Sequence, residues 1–326
     1  MDGILVVAKP AGPTSHDVVA LVRRLASTRR IGHGGTLDPF ASGVLPLFLG
    51  QATRLVEYHL GDTKEYRATV CFGSTSTTDD LAGELSPVPL AAGSVLELEH
   101  VVAELAGFVG PQLQQPPVYS AISVRGRKAY AIARAGETPE LAPRAVTIHR
   151  IELMEWDARD PERPIGVIEV TCSAGTYIRA IARDLGARVG SGAYLGALAR
   201  VASGPFRLAD SVSLETIRIA AADGADGVRA LLLPADAGLD AIPSLQLTAA
   251  EIQDAAQGRF VRPEAGVRAL PEEIPLRLLD AGGRIVGIGH RDGRRIAPEK
   301  MLVGVDRAAA ESRVVSEPAG EPAPAG

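Results

Sequence analysis

"GHGGTLDPFASGVLPLFLGQATR", residues 32–54, sets one acid, Asp38, between a cluster of three glycines and a long apolar run. An ordinary surface loop does not need a carboxylate at the lip of a hydrophobic segment. Gly32, Gly34 and Gly35 allow a sharp turn or a close approach of backbone to a ligand. The loop lacks the Lys-Ser/Thr ending of a nucleotide-binding P-loop, so a phosphate cradle of that kind is a weak reading. On its own, Asp38 can be a nucleophile, a general base or a metal ligand. It can equally cap a turn, because Asp before Pro is common there. Metal binding wants several ligands together, and the six histidines are scattered without ligand spacing, so no metal site is expected. Glycosidase-type chemistry wants a second carboxylate, and no motif supplies one.

The chain around this loop has 326 residues, enough for two domains. An apolar share of 46% with 22% charged residues implies a sizeable core. The opening MDGILVVAKPAGPTSHD carries an acid and an early proline, which fits neither a signal peptide nor an anchor. No stretch approaches the roughly 20 apolar residues of a membrane span. A soluble, cytoplasmic protein is expected. Cys71 and Cys172 lie in apolar, strand-like runs and read as small buried hydrophobes. A net charge of -5 argues mildly against a nucleic-acid partner. Two local surfaces soften that objection. Residues 21–37 hold Arg23, Arg24, Arg29 and Arg30 with no acid, and residues 121–150 hold six basic residues against Glu137 and Glu140.

Residues 3–8 read as a short buried strand stopped at Lys9-Pro10. Thr14 or Ser15 then caps a helix carrying Val18, Val19, Val22 and Leu25 at helical spacing. Residues 64–72 alternate, with Tyr66, Ala68, Val70 and Phe72 on one face of a half-buried strand. "GSTSTTDDLAGELSP" reads as loop by its Gly, Ser, Thr and Asp content. Residues 95–107 read as a helix, and the stretch from Pro111 to Gly136 as a proline-broken loop leading to a short basic helix. Residues 145–156 and 165–172 are strand-like. The next helix places Ile178, Ile181, Ala182 and Leu185 on one stripe and Arg179 with Arg183 on another, with glycines 186 and 190 at its end. Past residue 236, Thr248 to Glu251 forms a capping-box pattern. Apolar runs at 274–279, 285–288 and 301–305 follow, with a DAGGR turn between the first two. The Pro-, Ala- and Glu-rich residues 307–326 are expected to be disordered.

The loop resembles the signature of the tRNA pseudouridine-55 synthase family, TruB, and five further stretches resemble that family in the same order. These are GILVVAKPAGPTSHDVV, KEYRATVCFGSTSTTDD, PPVYSAISVRGRKAYAIARAG, CSAGTYIRAIARDLG and GAYLGALARVASGPF. Departures are Gly34 and Ser42 where threonine is usual, Ser123 where lysine is usual, and Ala199 where a basic residue is common. The resemblance implies an α+β fold: a catalytic domain over 1–235 built on a mixed, largely antiparallel sheet, and a small β-rich, PUA-like RNA-binding domain over 236–306. It implies isomerisation of a uridine in the tRNA T-loop by base flipping, without cofactor or metal. Asp38 matches the family's essential aspartate and Arg179 its paired arginine. Tyr66 matches the tyrosine that stacks on the base and is suspected of taking the C5 proton. Tyr177 and Leu198 match residues touching the uridine, and His33 the histidine filling the space the nucleotide leaves. The implied partner is the tRNA T-stem-loop, with no protein partner needed and a monomer by default. Two rival readings stay open: an RNA-guided, dyskerin-like enzyme inside a protein complex, and a non-catalytic tRNA-binding or folding module.

Overall fold

The computed structural model describes residues 1–90, 94–263 and 270–303. The tail expected to be disordered, and the end of the third C-terminal apolar run, lie outside them.

Strand β1 (Gly3–Lys9) is a run of Ile, Leu and Val, which suits a strand covered on both faces. The short β2 (Ile31–His33) precedes the loop of interest, and the apolar run beyond Asp38 becomes β3 (Ser42–Leu49), antiparallel to β1 with Ile4 opposite Phe48. β4 (Lys64–Phe72) alternates as expected, turning Tyr66, Ala68, Val70 and Phe72 inward. A hairpin of β5 (Ser74–Ser76) and β6 (Leu85–Pro87) comes next, then β7 (Gly110–Gln114), the two-residue strands β8 (Ser123–Val124) and β9 (Arg127–Lys128), and the long pair β10 (Arg144–Asp157) and β11 (Ile165–Cys172). β12 (Ala193–Ser203), β13 (Phe206–Arg207) and β14 (Val212–Ser213) complete the main sheet. Its order is β14-β1-β3-β12-β4-β11-β10-β7, with β2 and β13 paired to β3 and β12. The β1–β14 and β12–β3 pairs are parallel and the others antiparallel, so the sheet is mixed.

Helices cover this sheet. α1 (Ser15–Leu25) starts at a Thr14–Asp17 capping box and buries Val18, Val19 and Val22. After α2 (Glu57–Leu60), α3 (Leu98–Ala106) and α4 (Ala129–Arg134), α5 (Ile178–Arg188) buries the Ile178, Ile181, Ala182 and Leu185 stripe. α6 (Leu214–Ala220) and α7 (Gly224–Arg229) close this part. A smaller sheet follows, ordered β15 (Ser244–Gln246), β16 (Pro275–Leu279), β17 (Ile285–Asp292) and β18 (Arg295–Met301). With α8 (Ala249–Ala256), capped by Thr248 and Glu251, it encloses its own core of Leu247, Ile252, Leu276, Leu278 and Ile296. Ile288 and Leu302 pack this smaller part against Leu55, just after β3, and Leu239 in the connection. The fold is α+β with a small β-rich C-terminal part.

Four local expectations differ. Residues 74–87 are a hairpin rather than loop. Its strands lack apolar alternation because they are held by side-chain hydrogen bonds, such as Thr78 Oγ1 to Asp80 Oδ1 at 2.6 Å, and by docking on β12 through Leu195. Residues 110–114 form an edge strand although proline and glutamines dominate them, because the rim of β10 supplies the hydrogen bonds. Gly186 lies inside α5 instead of ending it: a Cβ there would sit 2.0 Å from the Ala193 backbone nitrogen, so glycine lets the helix press onto β12. Among the described residues the third strand of this part forms at 295–301, ahead of the apolar run at 301–305 whose end lies outside them, and is fixed by pairing with β17 and by the inward Ile296.

Candidate active site

Where β3, β4 and β12 run side by side, the 34–38 loop and the N-terminal turn of α5 enclose a cavity of about 420 Å³. That is within the usual range of small-ligand sites. Gly34 to Asp38 form one wall, Lys64 and Tyr66 from β4 another, and Leu198 with Arg200 from β12 a third. Residues 174–179 and 121–123, with Leu60 and Arg144, complete it, so Ser123, one of the departures from the family pattern, is among the lining residues. Gly32 is not among the lining residues.

Asp38 and Arg179 meet in this wall. Arg179 Nε lies 3.0 Å from Asp38 Oδ2, an ion pair in which the Nε–H does not point along the contact. The same guanidinium reaches Asp80 Oδ2 at 3.2 Å and donates to the carbonyls of Thr78 and Tyr119 at 3.0 Å each. Arg179 is therefore a buried residue, 4% exposed, and not a surface helix arginine. Burial pushes the Asp38 carboxyl above the usual carboxylate range; Arg179 is the largest influence opposing it, and Asp80 adds to the rise. Asp80 comes from the tip of the β5–β6 hairpin, where Asp79 takes a left-handed backbone at φ 61°. Asp79 in turn pairs with Arg183 at 2.9 Å. The second carboxylate that no sequence motif supplied thus arrives from a segment read as loop.

The loop bearing Asp38 is held from below. Lys9, 1% exposed, donates to the carbonyls of Pro10, Pro39 and Ala41 at 2.8, 3.3 and 2.7 Å. Desolvation lowers its ammonium to about 8, with Asp38 working the other way. Arg200, equally buried, donates to Val44 O at 2.8 Å and Gly35 O at 3.0 Å. At Gly43 a Cβ would sit 2.2 Å from the Arg200 carbonyl, with φ at 113°, so β3 approaches β12 this closely only as glycine.

Tyr66 forms part of the floor, 9% exposed, with its phenol pushed up by burial and drawn back by Arg200. Leu198 is buried beside it. Tyr177 lines the cavity from the turn before α5, where the Gln114 side chain fixes its backbone by hydrogen bonds at 2.8 and 3.0 Å. Asp38, Tyr66, Arg179, Tyr177 and Leu198 are thus brought together. His33 is not: it sits on β2 outside the lining, edge-on to His16 at 6.0 Å, its Nδ1 accepting from Gly35 N. Burial lowers its pKa. No group of three or more His, Cys, Asp or Glu side chains suited to a metal occurs among the described residues.

The family model described as TruB family pseudouridylate synthase, N-terminal domain, matches residues 23–178. The model described as the tRNA pseudouridylate synthase B C-terminal domain matches residues 179–240. The curated protein tRNA pseudouridine synthase B of Synechococcus sp. (strain WH7803) is 44% identical over 292 residues, 89% of this chain and 94% of that one. The chain belongs to the TruB family. Its relative of the same name in Stutzerimonas stutzeri (strain A1501) is 41% identical over 307 residues, 93% of this chain and 96% of that one. Among solved structures, a Cbf5-Nop10-Gar1 complex matches with a TM-score of 0.68 at 24% identity, covering 94% of this chain and 86% of that one. At that identity the likeness shows the fold.

The two TruB-family models meet between Ile178 and Arg179, so the Asp38–Arg179 contact joins the halves they describe. Sequence reasoning missed Lys9, Lys64, Asp80 and Arg200 as site residues. The signal for the three basic ones was a cation within or at the end of a buried strand pattern, Arg200 inside β12 and Lys9 and Lys64 at the ends of β1 and β4, which rarely occurs without a partner. Asp80 carried no such signal, because its burial follows from where the hairpin docks.

Proposed function

We propose that this TruB-family chain is a tRNA pseudouridine synthase that converts one T-loop uridine, position 55, to pseudouridine, acting alone and without cofactor or metal. The observation that carries this reading is the ion pair of Asp38 with Arg179 on the wall of a cavity floored by Tyr66. The reaction is an isomerisation: the N1–C1′ bond breaks, the base turns, C5 bonds to C1′, and the C5 proton leaves as N1 gains one. Asp38 acts as an anion, attacking C1′ or promoting a glycal. Arg179 keeps it anionic against the burial that favours the neutral acid. Tyr66 stacks on the uracil, and Arg200 opposes burial of its phenol as the C5 proton is taken. Tyr177 and Leu198 pack the nucleotide. A target atom at such depth requires the base to leave its stack, at a few kcal/mol, and His33, just outside the cavity, fills the space left behind.

Single-turnover conversion of an unmodified tRNA transcript tests this, comparing wild type with Asp38→Asn and mapping the product nucleotide. One pseudouridine in the T-loop, absent with the variant and formed without guide RNA, supports every part. Conversion elsewhere overturns the assigned position. Binding without conversion by wild type returns the reading to a guided enzyme or a folding module.

A further inference from the structure

Two lysines are buried near the cavity, and they differ in one respect. Lys9 places its three ammonium hydrogens on three carbonyls. Lys64, 5% exposed, makes one hydrogen bond among the described residues, a long one of 3.4 Å to the His59 carbonyl, and no ion pair. An ammonium carries three donors, and a buried charge with donors unmet is costly. Its neighbours do not meet that need. The Asp62 carboxylate is engaged with His59 Nδ1 at 3.2 Å. Arg200 is a like charge. Cys172, opposite Lys64 on β11, has a thiol pushed up to about 11 by burial, so it stays neutral. Desolvation lowers Lys64 itself to about 8. Yet Lys64 lines the cavity.

We propose that Lys64 completes its hydrogen bonding on the substrate, donating to a carbonyl oxygen of the uracil that enters the cavity. This deepens the pseudouridine synthase reading and rests on it. Lys64 and Tyr66 are two residues apart on the inward face of β4, about 7 Å along the strand. A ring stacked on Tyr66 therefore has its edge within reach of a lysine side chain. The phosphates of an extruded nucleotide stay with the RNA backbone at the cavity mouth, away from a side chain this deep. A carbonyl-seeking ammonium also discriminates: a base presenting an amino group there would set donor against donor.

The test uses RNA hairpins of the T-stem-loop whose target uridine is unmodified, 2-thio or 4-thio, since sulfur accepts hydrogen bonds poorly. Single-turnover rates are measured for wild type, Lys64→Met and Lys64→Gln, with hairpin affinity as the check on folding. One thio substitution is expected to slow wild type about 10-fold, the size of a lost hydrogen bond to a charged group. Lys64→Met should be slowed by a similar factor on the unmodified hairpin and be indifferent to that same sulfur. Lys64→Gln, which keeps one donor, should fall between. Slowing factors that multiply independently overturn the contact. So does a Lys64→Met penalty that disappears when the phosphate beside the target is a neutral methylphosphonate, which would place the ammonium on the phosphate. Should Lys64→Met fail to fold, equal wild-type rates on all three hairpins still overturn it. Failure of wild type on the unmodified hairpin would instead sink the underlying reading.

Discussion

Replacing Arg179 by methionine removes a cation shared by two carboxylates while keeping most of the apolar bulk. It deletes the 3.0 Å contact to Asp38, the 3.2 Å contact to Asp80 and the donors to Thr78 O and Tyr119 O. At an effective dielectric near 20, a unit pair at such distances attracts by roughly 5 kcal/mol, before the cost of desolvating both ions. Breaking a buried pair on one side costs about 3–5 kcal/mol net, because the remaining charge stays buried. Here that charge is Asp80, 5% exposed, whereas Asp38 is partly open to the cavity and contributes less. For a chain of 326 residues the melting temperature should fall by about 4–7 °C. Catalysis changes in a way that stability alone would not produce. The Asp38 carboxyl already lies above its ordinary value, and Arg179 is the main influence holding it down. Without that cation the anion forms only at higher pH, so the acid limb of the single-turnover rate moves upward. At pH 7 the rate falls at least about 100-fold, as for loss of a preorganised charge partner, and part of it returns toward pH 9. Calorimetry and rates on a tRNA transcript between pH 6 and 9 measure both effects. A variant with an unchanged melting point and an unshifted acid limb would refute the assignment of Arg179 as counterion of Asp38.

Three further outcomes follow from other contacts. Asp80→Asn removes a carboxylate that raises Asp38, so the acid limb should move to lower pH even as the rate drops through a less well-held Arg179; an upward move would contradict the geometry. Gly186→Ala forces a methyl against the backbone of Gly192 and Ala193 and should cost at least about 1–3 kcal/mol in urea unfolding, a change under half a kcal/mol showing that α5 has more room than described. Lys9 binds its proton less readily in the folded chain, at about 8 against 10.5, so the unfolded chain holds more protons between those values and stability gains from Lys9 as pH rises through them. The urea stability of Lys9→Met relative to wild type should therefore decline from pH 8 to 10, by up to about 1.4 kcal/mol per pH unit, and a flat difference would remove the desolvation argument.

Much of the scaffold was legible because its signals are local. The alternation of Tyr66, Ala68, Val70 and Phe72 depends only on the two-residue period of a strand, and the Thr14 and Thr248 caps only on backbone groups three residues away. Less legible were β5, β6 and β18, polar hairpin strands without apolar alternation, which are fixed by backbone pairing with a neighbouring strand and by where the hairpin docks. Gly186 misled for a related reason: its lack of a side chain serves a packing contact rather than a helix end.

The candidate site divides the same way. By itself the sequence determined which residue types stand at the motif positions, and hence that Asp38, Tyr66, Tyr177, Arg179 and Leu198 are the ones to examine. Whether they meet was decided by the tertiary structure, since β3, β4 and β12 are neighbours only after the mixed sheet closes. The same closure set the charge balance. Asp80 reaches Arg179 because a hairpin docks on β12, and Lys9 and Lys64 become low-pKa ammonium groups because burial removes their water. Depth and desolvation are properties of the assembled molecule, so no stretch of sequence carries them alone.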